Sequence, residues 1–286
     1  MKSRKYRKNE ERVFIMLMRA SCGTIILVMG AILFTIFKKG LPVLNWDILS
    51  SVPKGGYYFG GEGGILNAIL GSVYLAIGST VLSLIISLPS ALFLNIHLKK
   101  YQKLQNTIRL FIDVLWGIPS VVYGAFAFTI MIYFGWRASL LAGIITVTLF
   151  ISPIMIRGMD EALKTIPNIL LEAAYSLGST RCETAYKVFL KQSLPGIATA
   201  ILLSFGRAIG DAASVLFTTG FTDNIPKSLT QPAATLPLSI FFQLSSPIPE
   251  VQQRAYASAI VLTVIILLIS ITGRFISIRY SRNDIK

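Results

Sequence analysis

The sequence predicts an all-α membrane protein with six transmembrane helices and both termini in the cytoplasm. Three observations predict it. The 286 residues are 53% apolar and only 14% charged, with a mean hydropathy of +0.66, whereas an ordinary soluble domain is about 25% charged. Six runs are long enough to cross a bilayer, which takes roughly 20 mainly apolar residues at 1.5 Å of rise each. Lysine and arginine crowd alternate connections between those runs. The shortage of charge excludes a disordered chain, and it excludes a nucleic-acid-binding domain despite a net charge of +14.

Residues 1–19 are basic and read as a cytoplasmic tail ahead of the first span, Ala20–Phe37. Arg19 stands three residues before Cys22, where a lipoprotein cleavage site needs an aliphatic residue, and the apolar run continues past Cys22, so an uncleaved anchor is expected. Residues 38–64 form an outside connection whose Gly55-Gly56 and Gly60-Gly61-Glu62-Gly63-Gly64 mark turns and flexible links. The second span is Ile69–Leu94 and the third Ile108–Phe134. Gly71, Gly78, Pro89, Gly117, Pro119 and Gly124 interrupt them, which membrane helices tolerate where neighbours or a pore satisfy the freed backbone groups. Asp113, one turn beyond Arg109, reads as its i,i+4 partner near the cytoplasmic interface.

The fourth span is Ala138–Ile156. A connection of unusual pattern, Arg157–Leu194, follows. Pro167 forces a restart. Asn168 to Leu177 reads as a helix ended by Gly178 in the place a C-terminal cap prefers, and Thr180-x-x-Glu183 is a capping box opening a second helix. Pro195 then sits at the entry of the fifth span, Gly196–Thr219. By periodicity alone this helical knob is either a docking element or a plain amphipathic connector. Residues 220–255 form a second long outside connection, and Tyr256–Ile278 is the sixth span. Arg19 aside, nineteen Lys and Arg lie in the tail, at the second and fourth connections and at the C-terminal end, against six in the other connections, which sets both termini inside.

No Gly-x-x-x-x-Gly-Lys-Ser/Thr nucleotide loop occurs in the chain. One histidine, His97, and two scattered cysteines, Cys22 and Cys182, cannot build a transition-metal site, and the two thiols are not expected to pair. There is no paired-carboxylate or nucleophile–base constellation, so no catalytic residue is expected. Charges inside spans each cost about 2.5–3.5 kcal/mol on the insertion scale and are functional candidates. Arg207 and Asp211 read as lying mid-span in the fifth helix, four residues apart and on one face. They form either part of a substrate path or a pair that holds helices together. Ser120, following Pro119, either lines such a path or packs.

Glu172-Ala173-Ala174-Tyr175-Ser176-Leu177-Gly178, followed by Leu194-Pro195-Gly196, resembles the EAA loop of ABC-importer permeases. Further stretches resemble one branch, the PstA-type permeases of phosphate importers: Gly63-Gly64-Ile65-Leu66-Asn67, Gly117-Ile118-Pro119-Ser120, Gly206-Arg207-Ala208-Ile209-Gly210-Asp211 and Thr235-Leu236-Pro237. The resemblance implies a type I ABC-importer permease fold over residues 20–286, with 157–194 as the coupling-helix loop. There Glu172, Ala173, Ala174, Gly178, Thr180 and Glu183 would meet an ATP-hydrolysing subunit. It implies a path for phosphate through Arg157, Arg207, Asp211 and Ser120; the branch usually has Glu at the place of Asp211, and Arg157 otherwise reads as an orienting charge at a helix end.

An arginine's planar fork matches phosphate oxygens. A carboxylate at Asp211 accepts a hydrogen bond from protonated phosphate that sulfate cannot offer. The implied partners are a second, PstC-type permease, a dimer of PstB-type ATP-binding subunits holding ATP and magnesium, and an external PstS-type phosphate-binding protein. The location is the cytoplasmic (inner) membrane of a bacterium or archaeon. This chain itself would need no cofactor or metal, bind no nucleic acid and be no enzyme. The rival readings are a permease for another oxyanion such as sulfate or molybdate, and an ion-driven secondary carrier.

Overall fold

The computed structural model of the chain describes residues 4–281. Lys2, Arg282 and Lys286, counted above among the inner charges, lie outside the described residues. Helix α1 covers Arg4–Gly40, so the basic residues 4–19 form the first turns of the same rod that carries the first apolar run. Its 37 residues reach about 55 Å, against a bilayer core of about 30 Å. Most of its apolar side chains are exposed. It meets the rest of the molecule near its end, where Gly40 abuts Tyr256 and Ile260.

The connection after α1 is pinned rather than flexible. Asn45 caps the short helix α2 (Trp46–Ser50), its side chain accepting from the Ile48 amide at 2.8 Å. Gly56, Gly60 and Gly63 take φ of +83°, +89° and +133°, a region that side chains with a Cβ avoid. Arg254 holds the segment from outside: its guanidinium lies 4.4 Å from the centre of the Tyr57 ring and donates to the carbonyls of Tyr57, Gly60 and Gly61. Burial pushes the Tyr57 hydroxyl up to about 12, against the pull of Arg254, so it stays protonated.

Helix α3 (Leu66–Ile96) and helix α6 (Leu140–Lys164) pack side by side through the centre. A polar seam joins them, with Ser152 donating to Ser83 at 3.1 Å and Thr148 to the Ser79 carbonyl at 3.3 Å. Small hydroxylated residues permit such close approach where lipid supplies no hydrophobic drive.

Between α3 and α6 the third span is broken into α4 (Gln102–Gly117) and α5 (Ser120–Tyr133), which meet at 91°. Pro119 lacks an amide hydrogen and holds Ile118 extended, at φ −72° and ψ 129°. The Leu115 carbonyl, which Pro119 cannot serve, accepts instead from the Ile118 amide at 3.2 Å and the Tyr123 hydroxyl at 2.9 Å.

The knob forms as expected. Helix α7 (Asn168–Ser176) ends in a Schellman pair, Gly178 donating to the Tyr175 carbonyl and Ser179 to that of Ala174, with Gly178 at φ +77°. Thr180 and Glu183 close a reciprocal capping box at the start of α8 (Arg181–Thr184). From there the structure departs from the sequence reading. Helix α8 runs through a π-segment, Ala185–Phe189, into α9 (Leu190–Gly210) without a break. Pro195 therefore lies inside a helix, not at its entry. At the other end the helix stops at Gly210; Asp211 and Ala212 are irregular, and residues 213–219 continue as turns rather than as the last turns of the span.

The second outside connection holds a short helix, α10 (Leu236–Leu244), capped by Thr235 and tied to α3 where the Leu236 amide donates to Ser72 at 2.7 Å. Helix α11 (Pro249–Ser281) completes the chain. Among the described residues five helices are long and apolar enough to cross a membrane, and the bent α4–α5 pair brings the number to six if it is taken as one span.

Candidate functional site

The predicted site residues separate into three places. The first surrounds Arg207, in the last turn of α9. Its side chain is exposed and makes no ion pair with a described residue; the guanidinium carbon lies 5.1 Å from the centre of the Phe150 ring on α6. Phe150 in turn stands 5.8 Å from the Tyr123 ring of α5. Gly124, the next residue, faces the backbone of the 213–219 turns so closely that an added Cβ would come within 2.7 Å of the Ser214 carbonyl. The bend of the third span, the middle of α6 and the end of α9 thus converge on one arginine.

Asp211 is not paired with it. The residue caps the end of α9 with extended backbone, φ −84° and ψ 124°, and its carboxylate accepts from the Ser214 amide at 2.8 Å. Aspartate favours such local backbone bonds over helix continuation, which is why the two residues do not share a helical face. The reading of a buried pair that holds helices together falls with that geometry. Two hydroxyls near these residues in sequence, Ser204 and Ser214, are buried without a hydrogen-bond partner. Ser120 is half-buried at the first position of α5, directly after the bend.

The second place surrounds Arg157, which is not at a helix end, since α6 continues to Lys164. It pairs with Asp113 at 3.1 Å, Asp160 at 3.0 Å and Glu161 at 3.0 Å. Asp160 is the hub. Only 1% of its side chain is exposed, and it accepts from Asn95 at 2.8 Å, from Arg109 in a fork of 2.9 and 3.0 Å, and from Lys164 at 2.9 Å. Arg109 and Asp113 therefore do not pair with each other along α4; both reach across to α6. Asp160, Asn95 and the aromatic pair Phe150–Tyr123 escaped the sequence reading. The one available signal was the ladder Arg157-x-x-Asp160-Glu161-x-x-Lys164, whose i,i+3 and i,i+4 spacing puts opposite charges together on a helix.

The third place is the knob. Glu172, Ala173, Gly178 and Thr180 are exposed and Ala174 is buried. Ile169 and Leu177 expose 70% and 86% of their surfaces, an apolar presentation on a polar-ended helix pair. Thr180 and Glu183 are occupied in the capping box, and Glu183 also meets Lys187 at 3.1 Å. His97 caps α3 and stacks on Phe93. Cys22 and Cys182 are free thiols. Among the described residues no group of three His, Cys, Asp or Glu is placed to hold a metal ion.

This architecture is the permease fold of ABC importers. The chain superposes on one of the MetNI methionine ABC transporter, in an inward-facing conformation, with a TM-score of 0.63 at 20% identity, over 76% of this chain and 95% of that one. A chain of a bacterial alginate ABC transporter, in complex with an alginate-bound periplasmic protein, gives 0.64 at 14% identity over 96% of both. The sequence narrows the class: residues 83–282 match the binding-protein-dependent transport system inner membrane component family, and the chain belongs to it. It is a multi-pass membrane protein. Curated relatives include the phosphate transport system permease protein PstA of Yersinia pestis, 32% identical over 96% of this chain and 92% of its own length. The probable PstA of Methanocaldococcus jannaschii is 28% identical over 100% and 99%.

Proposed function

We propose that this chain is a permease subunit of an ATP-driven importer that moves inorganic phosphate across the cytoplasmic membrane. The observation that carries the reading is identity of 32% across nearly the whole chain to a protein named as a phosphate permease. The site supports it: Arg207 is a cation among membrane-spanning helices that no described carboxylate neutralises, and a fixed positive charge lowers the cost of bringing phosphate, itself carrying between one and two charges near neutrality, out of water. Arg207 binds the anion in this scheme. Asp211 accepts a hydrogen bond from the hydroxyl of hydrogen phosphate on its remaining lone pairs, and Ser120 faces the same path from the bend.

Both termini lie in the cytoplasm, as the lysine and arginine asymmetry favours. The knob, with Glu172 to Gly178 at its tip and the box of Thr180 and Glu183 fixing its angle, docks on an ATP-binding subunit of PstB type. ATP and magnesium belong to that subunit, and this chain carries no cofactor. A PstC-type permease completes the membrane part, and an external PstS-type protein delivers phosphate to the opposite face. Residues 157–194 act as the coupling loop of a single permease domain.

The test is uptake of labelled phosphate at low concentration by cells with and without the chain, with excess unlabelled sulfate present. Sulfate-insensitive uptake that disappears with the chain supports the reading. Unchanged uptake in cells lacking any other phosphate transporter would falsify it.

A further inference from the structure

We infer that Asp160 is a positioning residue that clasps α4 to α6, so that movement of the 165–194 loop is delivered to the bend at Ile118–Pro119. The inference rests on the permease reading above and deepens it. It starts from how α4 is attached. The one residue of α4 that is buried is polar, Gln105, whose side-chain amide donates to the Leu94 carbonyl at 2.8 Å. The apolar side chains Leu104, Leu110, Phe111, Val114, Leu115 and Trp116 are exposed. Ile108 and Ile112 are half-buried, but neither belongs to an apolar core cluster among the described residues, so no buried apolar seam bolts α4 down. Its described side-chain bonds to the neighbouring helices are polar: Gln105 to α3, Arg109 to Asp160 and Asn95, and Asp113 to Arg157.

Asp160 belongs to the opposite side of that joint. Its neighbours Met159 and Leu163 are fully buried in the apolar cluster that also contains Leu171 of α7, Ala185 and Phe189 of the π-segment, and Ile197 of α9. A close-packed cluster moves as a body, so Asp160 travels with the knob. The forked contact with Arg109 fixes rotation as well as distance, which a single point contact does not. Arg109, Arg157 and Lys164 are balanced by Asp113, Asp160 and Glu161, so the joint carries no net charge and does not compete with Arg207 for an anion. Beyond the joint, α4 leads into the bend, and α5 leans by Tyr123 on Phe150 and by Gly124 on the Ser214 backbone. The path from loop to Arg207 is thus packed body, ionic joint, lever and bend.

The experiment uses the intact complex of the full chain with its partner subunits, with Cys22 and Cys182 replaced by Ser. Spin labels are placed at Val114 on α4 and Leu267 on α11, both exposed, and their separation is read with and without magnesium ATP. The parent is expected to change its distance distribution on nucleotide binding. The Asp160→Asn complex is expected to lose that change while still hydrolysing ATP. Where Asp160→Asn fails to assemble, Arg109→Gln opens the same contact from its less buried side and carries the same expectation. A purely structural role would lower the amount of complex but leave the shift intact in whatever assembles. A shift retained in either variant, or absent from the parent, overturns the clasp. The readout does not depend on the solute, so failed phosphate uptake beside a surviving shift removes the substrate reading and keeps the clasp.

Discussion

Arg157 on α6 and Arg207 on α9 carry the same group into opposite surroundings. Three carboxylates lie within 3.1 Å of the first, so its field is cancelled close by. An aromatic ring supports the second. The face of a ring attracts a cation without removing its charge, so Arg207 is held in place and still offers a full positive charge to an approaching anion. The difference teaches that a charge near a membrane span is informative only together with its neighbours. One arginine is spent on joining helices, and the other remains available.

That contrast can be broken or sharpened by substitution. The largest effect is expected from Arg207→Ala, which removes a charge-assisted contact of about 3 kcal/mol and lowers phosphate uptake roughly a hundredfold at unchanged protein level. Uptake kinetics normalised to membrane content measure it. Next comes Asp160→Ala, which strands partly buried cations and is expected to cost about 3 kcal/mol, read as a lowered thermal midpoint of the purified protein. Lysine substitution then separates the two arginines directly. Arg207→Lys loses the planar fork and is expected to reduce uptake about tenfold, whereas Arg157→Lys still meets its carboxylates and stays near the parent. Equal losses in both would break the comparison.

Asp211→Asn is expected to lower the preference for phosphate over sulfate by a factor of about five, in proportion to one hydrogen bond of roughly 1 kcal/mol; an unaltered preference in competition uptake rejects that role. The smallest change is Gly178→Ala, which forces a Cβ into φ +77° and is expected to cost about 1 kcal/mol of stability, visible as a small shift in the thermal midpoint.

Much of the fold was legible because its signals are local. Hydropathy located the spans, and the cap residues Gly178, Thr180 and Glu183 located the turn between α7 and α8. The end of α9 was not legible, since residues 212–219 remain apolar enough to pass for a span and only the Asp211–Ser214 bond reveals the stop. The angle at Pro119 was not legible either: a proline announces a break, while its 91° is set by what α5 packs against. The joint at Asp160 links residues 51 and 65 positions apart. No local pattern on α3 or α4 points to it, and the i,i+4 spacing of Arg109 with Asp113 offers a nearer partner. Arg207 was found because an isolated arginine in an apolar run needs a reason, though the reason turned out to involve Phe150 rather than Asp211.

The π-segment at Ala185–Phe189 carries a consequence for angular phase. An α-helix turns about 100° per residue, and a π-turn accommodates one additional residue within such a helix. Because α8 and α9 form one rod across that turn, the wide turn absorbs the additional residue and so sets the azimuth of everything after it relative to the knob, Arg207 included. Removing a single residue from the segment and restoring plain α geometry would leave the guanidinium near its present azimuth, whereas tightening the turn with the residue kept would swing it about 100° around the axis, away from Phe150 and the bend.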